Sequence, residues 1–349
     1  MSARVRLHTT DAVTLDLDVD DGQTVVEAAE CAGHVLPSQC KQGTCGSCHA
    51  RATGSYTLGS HSPDALPPGE ADRGGVLLCR TYPTGDLDVH LSYPRSRIVD
   101  GGVGRREATV IEAREVGHGM VWLRLALEPD EITGAGVEFE PGQFAELELP
   151  GDDRRRAYSM ANTPNWDGEV EFLIRLRDGG YFSGFLGALL AGRLGPGEKV
   201  IVNGPLGAFG LRESGMRPRI FVAGGTGLAP VLSLVRRMAE FADPQPAQLI
   251  LGVNSEADLM NLPALDDVAA TLTDFVLEPC VWKPGTQWAG RVGTPVEATC
   301  DAVATALEAG HTPDVYVSGP PPLVESVQRV CADAGLAREH VIVERVLPT

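Results

Sequence analysis

Four cysteines near the start of the chain have the spacing of an iron–sulfur site. Cys40, Cys45, Cys48 and Cys79 form the pattern C-x4-C-x2-C-x30-C, which is typical of the thiolate ligands of a 2Fe-2S cluster. The loop between the first two contains Gly43, and glycine lets the backbone wrap tightly and aim amides at the sulfurs. The pattern therefore predicts electron transfer at this loop.

Two other groups fit part of the same pattern. The run from Cys45 to His49 matches C-x-x-C-H, which attaches c-type haem, but haem leaves Cys40 and Cys79 without a role. A structural zinc ion also binds four thiolates, although zinc modules favour paired C-x2-C knuckles. We favour the 2Fe-2S cluster, with haem and zinc as the alternatives. Cys31 lies outside the pattern, and we expect it to be a buried apolar residue on a helix.

A run of three arginines, residues 154–156, precedes Tyr158 and Ser159 in a chain that is acidic overall. Clustered arginines suit an anionic ligand such as a pyrophosphate. Further along, Gly180 and Ser183 open a predicted helix, whose first amides and dipole suit a second phosphate. The alternative interpretation is a solvated arginine run beside an ordinary strand and a capped helix.

A glycine-rich turn separates an apolar run from a predicted helix in residues 220–230. Gly224, Gly225 and Gly227 lie in this turn, and Pro230 takes the place of the third glycine of the G-x-G-x-x-G motif. Glycine lets a ligand approach the backbone at the carboxyl edge of a parallel sheet. We therefore expect a ligand at this edge.

Composition excludes several classes of protein. The 349 residues carry a formal net charge of −18, which disfavours nucleic acid and anionic membranes as partners. The N-terminal residues lack the apolar core of a secretory signal, and no uncharged stretch has the roughly 20 apolar residues of a membrane span. We expect a cytoplasmic protein.

Pattern and composition divide the chain into four segments. A first domain over residues 1–95 has a β-hairpin pattern and a helix that starts at Thr24, with Glu27 completing a capping box. Residues 96–105 have the glycine content of a linker. The segment 106–212 is predicted to form an antiparallel barrel with strands at 107–116, 119–127, 143–149, 169–177 and 199–203 and one helix at 182–194.

The last segment, residues 213–349, has a different style. Apolar runs alternate with helical patterns, which is typical of an α/β domain with a parallel sheet. The predicted strands are 219–223, 248–253 and 314–318, and the predicted helices are 229–242 and 321–334.

These segments together resemble the ferredoxin-NADP reductase superfamily. Arg156-Ala-Tyr158-Ser159 is similar to its R-x-Y-S motif, and the hairpin and helix before the cysteines match a β-grasp ferredoxin. The resemblance implies a multidomain α+β and α/β protein: a β-grasp 2Fe-2S ferredoxin, an antiparallel Greek-key FAD barrel and a parallel-sheet α/β NAD-binding domain. Members often end in an aromatic residue near the flavin, whereas this chain ends Val346-Leu-Pro-Thr349.

The resemblance also implies roles for individual residues. Arg156 is expected to contact the FAD pyrophosphate. Tyr158 is expected to pack on the isoalloxazine, and Ser159 to lie near the reactive nitrogen. The expected catalytic residues are Tyr158, Ser159 and Thr226. The other expected FAD residues are Phe172, Leu173, Ile174, Arg175, Gly180, Phe182 and Ser183.

The nicotinamide motif of that superfamily, G-G-T-G-x-x-P, resembles the turn that begins at Gly224. The expected NADH residues are Gly224, Gly225, Thr226, Gly227, Asn254, Glu256, Asp258, Ser318, Gly319 and Pro320. Ser318 stands where relatives often carry cysteine. Glu256 and Asp258 lie where the adenosine ribose is expected, without a neighbouring Arg or Lys in sequence, so a 2′-phosphate would be repelled and NADH favoured over NADPH.

The order ferredoxin, FAD barrel and NAD domain resembles the reductase components of bacterial soluble diiron monooxygenases. This resemblance implies a monomer that passes electrons from NADH through FAD and the 2Fe-2S cluster to a hydroxylase component, met transiently. The reductase of a ring-hydroxylating dioxygenase is the alternative within this class. A cytochrome or zinc module fused to an unrelated nucleotide-binding domain is the alternative from another class.

Overall fold

The computed structural model describes residues 3–130, 134–212 and 215–346. Two compact units make up the chain: Met1–Gly104 with Leu206–Ala208, and Arg105–Pro205 with Phe209–Thr349. The end of the chain at 347–349, where the sequence departs from relatives with a terminal aromatic residue, lies outside the described residues. The four segment boundaries remain predictions.

The first unit is a five-stranded mixed sheet with a helix packed on it. Its strand order is β2-β1-β6-β4-β5, with β1 parallel to β6, and β3 pairs separately with β7. The elements are β1 (Ala3–His8), β2 (Thr14–Val19), α1 (Val25–Cys31), β3 (His34–Val35), β4 (His49–Leu58), α2 (Pro68–Ala71), β5 (Gly75–Leu77), β6 (Thr81–His90) and β7 (Val99–Asp100).

The predicted hairpin and capping box are both confirmed. Strands β1 and β2 pair antiparallel over their whole length. The Glu27 amide donates to the Thr24 hydroxyl at 3.2 Å, and the Thr24 amide donates to the Glu27 carboxylate at 2.8 Å. These contacts satisfy amides that the first turn of α1 leaves without helical acceptors.

One expectation about this unit is wrong, and the structure adds detail to a second. Cys31 is exposed, because it ends α1 away from the buried stripe of Val25, Ala28 and Ala29. The segment predicted to be a linker, 96–105, begins with structured residues: Arg97 and Ile98 are buried, and β7 follows directly. Its glycines follow that strand, where Gly101 and Gly102 have positive φ and turn the chain.

The barrel in the second unit is a six-stranded sheet with the order β11-β10-β13-β8-β9-β12. A bridge between Met160, just after β11, and Phe172 on β12 joins the two edges, so the predicted barrel is confirmed. The elements are β8 (Arg105–Gly117), β9 (Met120–Leu127), β10 (Phe144–Glu148), β11 (Arg155–Ser159), β12 (Glu169–Arg175), α3 (Tyr181–Leu190) and β13 (Lys199–Leu206).

The rest of this unit is a parallel six-stranded sheet with the order β17-β16-β15-β14-β18-β19. Its elements are β14 (Arg219–Gly224), α4 (Leu228–Glu240), β15 (Ala247–Val253), α5 (Pro263–Thr271), β16 (Phe275–Val281), β17 (Arg291–Val292), α6 (Pro295–Glu308), β18 (Asp314–Gly319), α7 (Pro321–Asp333) and β19 (Val341–Arg345). The predicted parallel α/β domain is confirmed.

Both faces of the central strand β14 are buried. Phe221 and Ala223 pack into a core that includes α4 and α5, while Ile220 and Val222 pack into a core that includes α6 and α7. This explains why the strand reads as a continuous apolar run in the sequence. Among the described residues, no helix is long and apolar enough to span a membrane.

Candidate functional site

The four predicted ligand cysteines come together as two pairs. The Cys48 and Cys79 sulfurs lie 3.3 Å apart, and the Cys45 thiol donates a hydrogen bond to Cys40. Cys45, Cys48 and Cys79 are buried, and Cys40 is half-buried. Two pairs of thiols suit two irons that each take two thiolates, whereas a haem attached at Cys45 and Cys48 would leave the Cys48–Cys79 contact unexplained.

Backbone amides of the loop point at these sulfurs. The amides of Gln42 and Thr44 each lie 3.4 Å from the Cys40 sulfur, and the Gly43 amide donates to Cys79. The hydrogen bond from Cys45, supported by these amides, lowers the pKa of Cys40 to about 4. A hydrogen bond from Cys48 lowers the pKa of Cys79. The same two hydrogen bonds raise the pKa of Cys45 and of Cys48, so in each pair one thiol holds the proton and the other is the thiolate.

The three arginines of the 154–156 run have different environments. Arg154 forms an ion pair with Asp152 at 2.7 Å, and Arg155 forms one with Glu148 at 3.1 Å. Within the described parts of the chain, Arg156 has no carboxylate partner, and its guanidinium donates only to the Arg155 carbonyl at 2.8 Å. Arg156 is thus the arginine free to take an anionic ligand.

Tyr158 stands beside this free cation in an apolar surrounding. Its ring centroid lies 5.5 Å from that of Phe182, and burial raises the pKa of its hydroxyl to about 12 despite the positive charges of Arg156 and Arg177. Ser159 follows at the end of β11 and is half-buried. An aromatic ring beside two arginines fits a ligand with both a ring system and phosphates.

Helix α3 begins at Tyr181, two residues before Ser183, so the predicted start at 182–183 was late. Gly180 is the cap, and the first amide bonded within the helix is that of Gly184, which donates to the Gly180 carbonyl at 3.0 Å. The Ser183 hydroxyl accepts from the Arg177 amide at 3.0 Å. The earlier amides of α3 point out of the helix, as a phosphate contact requires.

The side chains predicted along the flavin strand are mostly buried in cores. Phe172 and Ile174 pack inside the barrel, and Leu173 packs in the core that includes α4. Phe182 is also buried in the barrel. Contacts from this strand to a flavin would be made by its backbone and by Arg175, whose guanidinium lies 3.9 Å from the Asp258 carboxylate.

The glycine turn after β14 lies against the end of β18. A Cβ added to Gly227 would be 2.1 Å from the Ser318 carbonyl oxygen, so no other residue fits there. Gly224 and Gly319 approach each other closely, and Pro320 caps α7. The Ser318 hydroxyl is fully buried and has no hydrogen-bond partner in the described residues. This unsatisfied group fits a polar ligand at the carboxyl edge of the sheet.

The expected ribose residues after β15 differ in what they can contact. Asn254 is exposed, and Glu256 accepts from the Gly285 amide at 2.9 Å. Asp258 is buried, and its carboxylate accepts from the amide and hydroxyl of Ser255 at 3.0 and 2.9 Å. The Asp258 carboxylate therefore caps its own turn. Its contact with the ribose remains a prediction, and Ser255 already occupies one of its oxygens.

Two groups near this edge were missed from the sequence. Lys283 lies next to the ribose region, because its amide donates to the Asn254 carbonyl at 2.8 Å. Glu344 on β19 is the register neighbour of Ser318, and burial raises the pKa of its carboxyl to about 8. In the sequence, Glu344 could have been noticed as a charged residue that directly follows the apolar residues 341–343. No local pattern marks Lys283.

Three family models match the chain in the predicted order. They describe a 2Fe-2S iron-sulfur cluster binding domain over residues 9–84, an oxidoreductase FAD-binding domain over 107–210 and an oxidoreductase NAD-binding domain over 221–329. These matches confirm the 2Fe-2S cluster, FAD and NADH as the cofactors.

Curated relatives match nearly the whole chain. The electron transfer component of toluate 1,2-dioxygenase from Pseudomonas putida is 34% identical over 99% of this chain and 98% of its own. The reductase component of propane 2-monooxygenase from Mycolicibacterium goodii is 33% identical over 90% of this chain and 89% of its own. Component C of methane monooxygenase from Methylosinus trichosporium is 36% identical over 73% of this chain and 76% of its own.

A solved structure has the same architecture. The cytochrome P450 reductase GcoB of Amycolatopsis is 27% identical, covers 99% of both chains and has a TM-score of 0.70. The relatives thus serve oxygenases of several kinds.

Proposed function

The chain belongs to the family of flavin and 2Fe-2S reductase components that serve oxygenases, and we propose that it supplies electrons from NADH to the hydroxylase of a soluble diiron monooxygenase. Bound FAD takes the electron pair that NADH gives up as hydride and passes electrons on singly, as a 2Fe-2S cluster requires. The observation that carries this proposal is the pairing of Cys40 with Cys45 and of Cys48 with Cys79 in a chain with both nucleotide sites.

The chain's own residues hold and orient these groups. Arg156 and the first amides of α3 would hold the FAD pyrophosphate, since the Arg156 guanidinium donates to a backbone carbonyl and to no carboxylate, and no side chain caps α3. Tyr158 would pack on the flavin ring, and Ser159 and Thr226 would lie near the reacting atoms. The turn at Gly227 packs directly against the Ser318 carbonyl, and we propose that the nicotinamide binds at this edge of the sheet.

A second candidate partner is a ring-hydroxylating dioxygenase. The full-length similarity to the toluate dioxygenase component favours it, whereas the propane and methane relatives favour the monooxygenase. The N-terminal ferredoxin domain does not separate the two, because the toluate dioxygenase component matches 99% of this chain; the segment Gly252-Val-Asn254 inclines us to the monooxygenase.

Free carboxylates on the first unit support docking to a basic partner surface. Asp16 is paired with Arg4 at 3.2 Å, but Asp18, Asp20 and Asp21 are exposed and have no basic partner in the described part of the chain. Such charges speed the encounter with a basic surface and are screened by salt. We propose that the chain acts as a monomer in the cytoplasm and meets its partner transiently.

Replacing one cluster ligand tests the proposed electron path. In Cys45→Ser, NADH should still reduce the flavin at the wild-type rate, but electron delivery to cytochrome c should be lost because the path to the acceptor passes through the cluster. Stopped-flow absorbance and a cytochrome c assay measure the two steps. Cys31→Ser, which removes an exposed thiol outside the pairs, is the matched control and should retain both. Wild-type delivery by the Cys45 variant would contradict the path.

A further inference from the structure

We infer that Arg80 and Tyr93 raise the reduction potential of the 2Fe-2S cluster by directing a fixed positive charge and a hydroxyl donor at the Cys48–Cys79 pair. Neither residue belongs to the cysteine pattern. Both carry a buried donor atom for which the described residues provide no hydrogen-bond acceptor.

The Arg80 side chain is folded back over the cysteine loop. Arg80 directly follows Cys79 in a 3-10 turn, and its Cγ would be 2.8 Å from a Cβ added to Gly43. One guanidinium nitrogen, Nη2, would be 2.9 Å from a Cβ added to Gly59. The guanidinium also lies 5.9 Å from the centroid of the Tyr82 ring. These contacts fix the positive charge beside the loop.

The buried part of this guanidinium has an unmet donor. Arg80 Nε is buried, and none of the described side chains or carbonyls accepts from it. A buried charged donor without an acceptor is costly, which points to an acceptor at the adjacent cluster.

Tyr93 packs in the same buried core of the first unit as Cys48 and Cys79. Strands β4 and β6 pair with Arg51 opposite His90, so Cys48, just before β4, runs beside the chain that leaves β6 toward Tyr93. The tyrosine is 3% exposed, and its hydroxyl has no partner in the described residues. A tyrosine hydroxyl carries its proton near neutral pH, so this buried group is a hydrogen-bond donor.

The charge of the cluster explains the effect on its potential. A 2Fe-2S cluster held by these cysteines would gain one negative charge on accepting an electron from reduced FAD. A nearby cation and a hydrogen-bond donor stabilise the more negative form more strongly than the oxidised one. Arg80 and Tyr93 therefore favour the passage of electrons from flavin to cluster.

The test is an EPR-monitored redox titration of the full-length, cluster-loaded protein. In Arg80→Gln the equilibrium constant for cluster reduction should fall about tenfold, which is a potential lower by about 59 mV for one electron. Tyr93→Phe should lower the potential by less, because it removes a neutral donor. Arg80→Lys, which keeps the charge, should recover most of the loss. Arg4→Gln on the β1–β2 hairpin and Tyr56→Phe are matched controls and should titrate like the wild type.

Since this role rests on the proposed function, cluster content is measured separately as visible absorbance and acid-labile sulfide. A wild-type protein without the cluster would contradict the proposed function itself. Loaded Arg80→Gln and Tyr93→Phe variants with the wild-type potential would overturn the inference, as would an equal shift in the controls. Should Arg80→Gln fail to load, Tyr93→Phe decides: a lower potential supports the inference and an unchanged one overturns it.

Discussion

Neighbouring residues of one type perform different tasks at the flavin site. The structure separates the three arginines by their partners: carboxylates occupy Arg154 and Arg155, and only Arg156 keeps its donors for a ligand. In an acidic chain, an arginine that forms no ion pair with a carboxylate of the same chain indicates an anion site better than the number of arginines in a run does.

This difference predicts the behaviour of two matched variants. Arg156→Gln should weaken FAD binding by about 10- to 100-fold, because a hydrogen bond to a charged group contributes about 1.5–3 kcal/mol. Arg154→Gln removes the same charge two residues away but should bind FAD like the wild type, since Asp152 already engages that guanidinium. Fluorescence titration of the apoprotein with FAD measures both. Equal losses in the two variants would contradict the assignment.

Local spacing explains which residues could be predicted. The cluster cysteines and the glycine turn are close together in the sequence or separated by a recognised interval, so their roles could be inferred. Glu344, Arg80 and Tyr93 reach their positions only through strand pairing and loop packing. The engagement of Asp258 by Ser255 likewise depends on a turn geometry that charge alone does not reveal.

The pairing of β18 with β19 places a carboxyl in an apolar environment at the edge of the sheet. Glu344 lies beside Ser318 in register and is 7% exposed. Burial raises the pKa of its carboxyl to about 8, from an ordinary value of 4.5. The folded protein therefore keeps this proton at pH values where the unfolded chain has lost it.

This strand pairing predicts a pH-dependent stability. Below about pH 4.5 both states hold the proton; as pH rises from there to about 8, only the folded state keeps it, so the free energy of unfolding falls. Glu344→Gln removes the titration and should exceed the wild type in stability by a margin that grows between about pH 5 and pH 8 and then levels off. Thermal unfolding across this range measures the margin. A margin that does not change with pH would contradict the buried carboxyl.

Long periodic elements were predicted better than short ones. The hairpin, most barrel strands and helices α4 and α7 follow clear patterns. Strand β7 has only two residues, and Glu278 and Pro279 interrupt the apolar run of β16. Neither strand therefore shows the alternation of polar and apolar residues that predicts a strand. Helices α5 and α6 were missed as well, although each begins with proline at its first position, a start signal that was available in the sequence.

At the scale of the whole molecule, the modules follow one another along the chain in the reverse of the electron path, which runs from NADH through FAD to the cluster. The cluster loop belongs to one compact unit, and the barrel and parallel sheet belong to the other. The sequence predicted three modules from changes in pattern, and the three family models match that order. The partner is harder to infer because the relatives serve oxygenases of different kinds.

The central claim, electron delivery from NADH to an oxygenase component, is tested most directly by anaerobic stopped-flow mixing. The NADH-reduced protein is mixed with a diiron hydroxylase, a ring-hydroxylating dioxygenase component or a cytochrome P450, and reoxidation of the cluster is followed by absorbance. We predict rapid reoxidation by the diiron hydroxylase, at a rate that falls as salt rises because acidic residues guide docking. Reoxidation no faster than in buffer with every component would contradict the claim.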